Sequence, residues 1–538
     1  MTRHSARRLL PLLALTSGLT LSAGTAVAAP APQITIEATA VSFTSVVPAP
    51  VSSTPAAGVS HAVTAATNIY IEPGSTAARD VANLLATQLR RSTGYALPVA
   101  DAPSSTPADG IALLLSGAPA NAGPEGYQLT VGSAAIAIRA LQPAGLFRGL
   151  QTLRQLLPPE ADAATVQAGP WTVPGGTIVD YPRFAHRGAM LDVARHFFPV
   201  TTVQRFIDEI ALYKVNYLHL HLSDDQGWRI VVDSWPNLAL YGGSTAVGGD
   251  PGGYYTKADY QAIVAYAAAR YVTIVPEIDM PGHTNAALAS YAQLNCDGVA
   301  PNLYTGTRVG FSSLCVPLEL TYTFIDDVIR ELSAITPGPY IHIGGDEASS
   351  TTASDYTYFM GRAQAIVAAH GKTVIGWHDI VHADELSSTV AQFWGTTNTD
   401  SAVAAAAANG TKVLMSPANL TYLDMKYARK IKLGQTWAGL IDVDKAYGWD
   451  PGNYLVGVGE ASVLGVEAPL WTETIRTQAD IEYMTFPRLP AIAELGWSPW
   501  STHGWTGFAS RLGAQGPRWH VMGVNYYHST KITWPAGS

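Results

Sequence analysis

At 538 residues the chain is long enough for more than one domain, and 47% hydrophobic against 14% charged residues with a mean hydropathy of +0.11 exclude a mostly disordered polymer. A net charge of −9 and a pI near 5.8 leave no basic field to collect phosphates or anionic lipid, which argues against nucleic-acid and membrane-surface partners. An uncharged partner is expected.

The chain opens with "MTRHSARRLLPLLALTSGLTLSAGTAVAAPAPQ", in which Arg3, Arg7 and Arg8 precede an apolar run ending in Ala26-Val27-Ala28. That is the pattern of a secretory signal peptide over 1–28, cleaved near Ala28, and its apolar core is shorter than the roughly 20 residues a membrane span needs. Residues 29–62 are rich in Ala, Pro, Ser, Thr and Val, without a steady period, and read as a low-complexity linker or loosely packed strand material. From 63 to 180, short β-rich runs ("IYIEP", "GIALLLSG", "GYQLTVG", "AAIAIRA") alternate with two helical segments. In the second of these, Leu146, Leu150, Leu153 and Leu157 repeat at helical spacing, so a small α+β domain is predicted.

From 181 to 510 eight apolar runs alternate with helical periods: "RGAMLDVAR", "VNYLHLHLSDD", "VTIVPEIDM", "YIHIGGDE", "TVIGWHD", "TVAQFWG", "KVLMSP" and "VEAPLWTE". Near-continuous apolar strands of this kind predict an α/β fold, a (β/α)8 TIM barrel preceded by the small α+β domain. Residues 511–538 are expected to pack on the barrel as a C-terminal tail. The two cysteines, Cys296 and Cys315, are expected to form one disulfide if the chain is exported.

Polar residues cluster at the C-terminal ends of seven of the eight runs: Arg195; Asp224 and Asp225; Glu277 and Asp279; Asp346 and Glu347; Trp377 and Asp379; Trp394; Trp471 and Glu473. In a barrel these ends converge on the face where active sites form. Tryptophan faces complement the C–H faces of sugars, while carboxylates and arginine satisfy hydroxyls. Asp346 and Glu347 are adjacent, and strand alternation predicts that their side chains diverge, with Gly344 and Gly345 leaving room for a ligand. An adjacent pair suits a plan in which Glu347 protonates the leaving oxygen while Asp346 orients a nucleophile supplied by the substrate, such as a neighbouring N-acetyl group.

Three other readings compete. His219 and His221 share a strand face at the spacing of metal-dependent amidohydrolase barrels, with His283, His342 and Asp346 able to complete a site. Against it, both histidines precede the end of their strand and the Trp-rich mouth has no place in that scheme. A sugar-binding protein that has lost turnover would not need an acid, and a conventional retaining glycosidase would act on plain glucosides.

The motifs "GLFRGLQTLRQLL", "HRGAMLDVARHFF", "HLHLSDDQGWR", "PEIDMPGH", "HIGGDEA", "YLDMKY", "APLWTE" and "RLPAIAELGWSP", spread from about residue 60 to 510, resemble the β-N-acetylhexosaminidases of glycoside hydrolase family 20, in particular secreted actinobacterial members. The resemblance implies an exo-acting, retaining, substrate-assisted glycosidase on oligosaccharides or glycoconjugates ending in N-acetylhexosamine, needing no metal or cofactor. It implies Glu347 as acid/base, Asp346 and Tyr422 as the acetamido ligands, and Trp377, Trp394 and Trp471 as walls around the acetamido methyl. It further implies Arg195, Asp424 and Glu473 as ligands of the ring hydroxyls, Trp437 as the platform for the next sugar, and Asp224, Asp279 and His283 as the groups that position Glu347. Two departures stand out: Leu220 where an aromatic is expected, and His186 where some members carry Trp.

Overall fold

A computed structural model describes residues 41–104, 108–384 and 386–538; the expected signal peptide lies outside them. A seven-stranded sheet comes first, with strands β1 (Ser52–Ala62), β2 (Ile69–Ile71), β3 (Val99–Asp101), β4 (Gly110–Leu114), β5 (Tyr127–Val131), β6 (Ala135–Ala140) and β7 (Thr172–Asp180). Its order is β1-β7-β5-β6-β4-β2-β3, with β1, β7, β5 and β6 antiparallel and β6, β4, β2 and β3 parallel. Helices α1 (Thr76–Thr93) and α2 (Pro143–Leu156) pack on this sheet and on each other, and Leu146, Leu150, Leu153 and Leu157 are buried as their spacing predicts.

The expectation of a linker over 29–62 is corrected for its described part. β1 pairs with β7, and Phe43, Val46 and Val47 are buried in the core. The segment hides because small, β-tolerant residues fill an edge strand whose side chains are mostly exposed, so no strong alternation marks it.

The barrel closes with β8 (His186–Asp192), β9 (Tyr217–His221), β12 (Thr273–Glu277), β13 (Tyr340–His342), β14 (Thr373–Trp377), β15 (Val390–Phe393), β16 (Lys412–Met415) and β17 (Val463–Leu470), all parallel; a two-residue hairpin, β10 (Ser223–Asp224) and β11 (Gly227–Trp228), follows β9. These are the eight predicted runs in the predicted order. Between the strands, amphipathic helices such as α3 (Val200–Leu212) bury Val203, Phe206, Ile207 and Ile210. Toward the N-terminal end of the barrel Val275, Ile375, Val390 and Leu414 form a separate apolar cluster, which leaves the polar chemistry to the opposite end.

Glu125 ties sheet to barrel, accepting from Arg148 (2.9 Å) and Arg187 (2.6 Å). The boundary expected at 510 falls inside a helix, Trp505–Gly513. Beyond it, Trp519 is buried and donates to Tyr213 Oη at 2.7 Å, and Arg518 pairs with Asp162, so the last segment bridges the barrel and the small domain. Cys296 and Cys315 form a disulfide spanning 19 residues.

Candidate active site

The side chains at the C-terminal strand ends converge. After β13 the chain does not continue as a strand: Gly344 and Gly345 take φ of 64° and 101°, and Glu347 itself has φ 49°. A Cβ on Gly344 would sit 1.6 Å from Asp279 Oδ1, so only glycine allows this turn. Asp279 Oδ1 accepts from Gly345 N–H at 3.2 Å, and Tyr356 Oη donates to Gly345 O at 2.7 Å, pinning the reversal.

The divergence expected from strand alternation is therefore corrected. Asp346 Oδ2 and Glu347 Oε2 both approach one nitrogen, His283 Nε2, at 3.6 and 3.4 Å, because the left-handed turn swings Glu347 back toward its neighbour. Burial, with the Glu347 and Asp379 charges added and His283 opposing, pushes the Asp346 carboxyl up to about 7. Asp279 is buried, and burial plus the nearby Asp346 charge raise it well above the carboxylate range.

His283 Nδ1 lies 3.3 Å from Asp224 Oδ1, and the other Asp224 oxygen meets Arg195 Nη2 at 2.7 Å. Burial opposes the Asp224 charge, but Arg195 and His283 outweigh it and hold the group below the carboxylate range. For His283 burial is likewise outweighed, by Asp224, Asp346 and Asp279, and the ring is held protonated. Asp225 points elsewhere, accepting from Asn285 N–H (3.0 Å) and Ser312 Oγ (2.5 Å) to brace a loop.

An aromatic enclosure stands beside the carboxylates. Trp377 lies 5.6 Å from Trp471, Trp471 lies 6.2 Å from Tyr422, Tyr422 lies 5.8 Å from Trp437, and Trp437 lies 6.1 Å from Trp394. Trp377 is fully buried and Trp437 is 54% exposed, which grades the enclosure from floor to rim. Two indoles are anchored: Trp377 Nε1 donates to Glu277 at 3.0 Å, and Trp394 Nε1 donates to Asp379 at 3.0 Å.

Arg195 stacks its guanidinium 4.8 Å from the Trp471 ring, and its Nε has no partner among the described residues. Asp424 Oδ1 and Glu473 Oε2 are also buried without partners there. Burial and their mutual repulsion raise Asp424; burial also raises Glu473, against the pull of Arg195. Unfilled acceptors beside an arginine suit hydroxyl donors.

For a cation, His219, Glu277 and His342 lie close enough to ligate one ion, as do Asp279, His283 and Asp346. Both nitrogens of His219 already face carboxylates, Glu277 and Glu467, each at 2.9 Å.

Residues 184–357 and 349–500 match the catalytic domain of glycosyl hydrolase family 20, and 44–181 match domain 2 of the same family. The chain belongs to glycosyl hydrolase family 20. A β-N-acetylhexosaminidase of Cellulomonas fimi is 42% identical over 414 residues, 77% of this chain and 82% of that protein. The solved family-20 β-N-acetylhexosaminidase of Streptomyces coelicolor A3(2) is similar at a TM-score of 0.89 and 55% identity, covering 92% of this chain and 99% of that one. A mutant Streptomyces plicatus β-hexosaminidase in complex with product GlcNAc reaches 0.89 at 56% identity, covering 92% and 98%.

In this family-20 chain the thirteen residues singled out from the sequence as catalytic or substrate-binding all lie in or directly behind the mouth. The two departures sit in the interior: Leu220 is buried, and His186 stacks 4.1 Å from Tyr217. Missed in the sequence were Asp192, which accepts from Arg195 N–H and Thr472 N–H at 3.0 Å each, and Glu467, which faces His219. A lone glutamate inside the apolar run "VLGVEAPL" was the available signal for the latter.

Proposed function

We propose that this chain is a secreted, exo-acting β-N-acetylhexosaminidase that removes terminal β-linked N-acetylglucosamine or N-acetylgalactosamine with retention, using the substrate's acetamide as nucleophile. The observation that carries the reading is the convergence of Asp346 and Glu347 on His283 beside an enclosure of aromatic rings. Buried Asp424 and Arg195 receive the ring hydroxyls, so the terminal sugar enters end-on.

In the first step the acetamide oxygen attacks the anomeric carbon as the glycosidic C–O bond breaks, and Glu347 gives its proton to the departing oxygen. The acetamide becomes an oxazolinium-like cation. The Asp346 carboxylate accepts its N–H, and the positive charge forming there offsets the burial and the negative neighbours that otherwise disfavour that anion. Tyr422 Oη hydrogen-bonds the acetamide oxygen in this scheme, and Trp377 and Trp471 press its methyl beneath the ring. Such confinement can contribute as much as about 7–11 kcal/mol through effective concentration. In the second step water attacks the anomeric carbon, the bond from that carbon to the acetamide oxygen breaks to restore the acetamide, and the Glu347 carboxylate takes the water's proton; two inversions give retention.

A parallel assay of chromogenic β-N-acetylglucosaminide and β-glucoside, with and without chelator, tests the reading. Release from the first alone, indifferent to chelator, supports it. Release from both favours a conventional glycosidase, release from neither a binding protein, and loss with chelator a metal enzyme.

A further inference from the structure

The barrel interior holds a line of buried ionisable groups that the scheme above does not use. Glu467 Oε1 on β17 accepts from His219 Nδ1 (2.9 Å) and Gln392 Nε2 (2.8 Å), and Oε2 lies 3.3 Å from His186 Nε2. His219 Nε2 lies 2.9 Å from Glu277 Oε2, and the same oxygen meets His221 Nδ1. Glu277 Oε1 accepts from Trp377 Nε1 at 3.0 Å and lies 2.9 Å from His342 Nδ1. His221 Nε2 reaches Asp224 Oδ2 at 2.8 Å, and the line ends at His283 between Asp224 and the Asp346–Glu347 pair.

Counting donors assigns the charges along this line. An ionised carboxylate has about four acceptor sites, and three nitrogens, those of His219, His221 and Trp377, aim at Glu277, while the fourth neighbour, His342 Nδ1, accepts from Gly344 N–H at 3.1 Å, so the anion is the form that satisfies the three donors. His219 and His221 each meet a carboxylate at both ring nitrogens; a neutral ring would turn a lone pair toward one of them. Both rings are therefore imidazoliums, alternating with Glu467, Glu277 and Asp224. The local electrostatics agree: burial opposes the charge on His219, but Glu277 and Glu467 push it up to about 9, and for His221 Glu277 and Asp224 likewise prevail. Arg195 Nη1, 3.4 Å from His221 Nε2, is a like-charged approach, compensated by Asp224. Asp279 and Asp346 also feel the Glu277 charge.

We propose that Glu277 is a positioning residue for the reaction: one oxygen, through His221 and Asp224, sets the His283 ring against the proton donor Glu347, while the other anchors the Trp377 indole that walls the acetamide pocket. This rests on Glu347 being the acid and Trp377 being the wall. Because both arms leave one carboxylate, proton delivery and nucleophile placement are mechanically joined at a residue that touches neither substrate nor leaving group. In Glu277→Gln the amide N–H must face either a ring nitrogen or the indole N–H, so one arm breaks whichever way the amide turns.

Nitrogen-15 NMR of histidine-labelled wild-type protein at pH 8, where an ordinary imidazole with its pKa of 6.5 is neutral, reads the arrangement without turnover. Two N–H protons on each of His219 and His221 are expected. A neutral tautomer at either ring overturns the proposal, whether or not any variant folds and whether or not the enzyme assay succeeds. In Glu277→Gln, kcat is expected to fall at least roughly tenfold further on a substrate with a poor leaving group than on an activated aryl glycoside, because acid assistance matters most there, with KM also raised by the loosened Trp377. Equal losses on both substrates with KM unchanged would contradict the positioning role.

Discussion

Asp346→Asn should make the protein more stable and nearly inactive. Asp346 is 8% exposed, its Oδ1 has no hydrogen-bond partner among the described residues, and burial with the Glu347 and Asp379 charges lifts its carboxyl from the ordinary 3.8 to about 7. A carboxyl raised on folding costs nothing below its unfolded value and an increasing amount as pH climbs to its folded value. The gap corresponds to roughly 4 kcal/mol of disfavoured ionisation at pH 8, so removing the charge should stabilise by about 2–4 kcal/mol there and progressively less as pH falls toward 4. Denaturant unfolding of wild type and variant at pH 8 and pH 4.5 measures the difference. Turnover of a chromogenic N-acetylglucosaminide should drop on the order of 100-fold or more, since the acetamide loses its orienting anion. A variant less stable than wild type at pH 8, or a stability gap independent of pH, would refute the electrostatic reasoning; near wild-type turnover would refute the role.

Glu347→Gln should lose most activity and recover part of it on substrates whose leaving group needs no proton; full activity on an ordinary glycoside would remove Glu347 as the acid. Gly344→Ala places a Cβ 1.6 Å from Asp279 Oδ1 at φ 64°, so about 2–4 kcal/mol of stability should be lost in urea unfolding together with activity, and an unaffected variant would contradict the turn geometry. Replacing Cys296 and Cys315 together with serine opens a loop of 19 residues and should cost about 3 kcal/mol, read as a lower denaturant midpoint at unchanged slope; no change would indicate that the unfolded chain is little constrained by the bridge.

The barrel was legible because its strands are covered on both faces and so read as unbroken apolar runs, seven of them ending in residues that have no role in a core. Arg195, Trp394 and Glu473 could be picked out by that position alone. The geometry of Asp346 and Glu347 could not, since it depends on positive φ at Gly344, Gly345 and Glu347 and on Asp279 filling the space beside Gly344. Glu277 is visible as a strand end, but its four nitrogen neighbours come from β9, β13 and β14, and Glu467 meets His219 across 248 residues of chain. Through-space pairs at such separations leave no local pattern. The first strand escaped for a different reason: its Ser, Thr, Pro and Ala side chains carry little apolar signal, and its place is held by backbone pairing to β7.

The attacking atom belongs to the substrate, and every role assigned at the barrel mouth follows from that. Aryl β-glycosides that differ only in the 2-acyl group, from acetamido through mono-, di- and trifluoroacetamido, keep the leaving group constant while weakening the carbonyl oxygen as a nucleophile. Turnover should fall steeply along that series, by orders of magnitude from first to last. Rates that stay level across it would mean that an enzyme carboxylate attacks the anomeric carbon, and the roles given to Asp346, Tyr422 and the tryptophan walls would fail together.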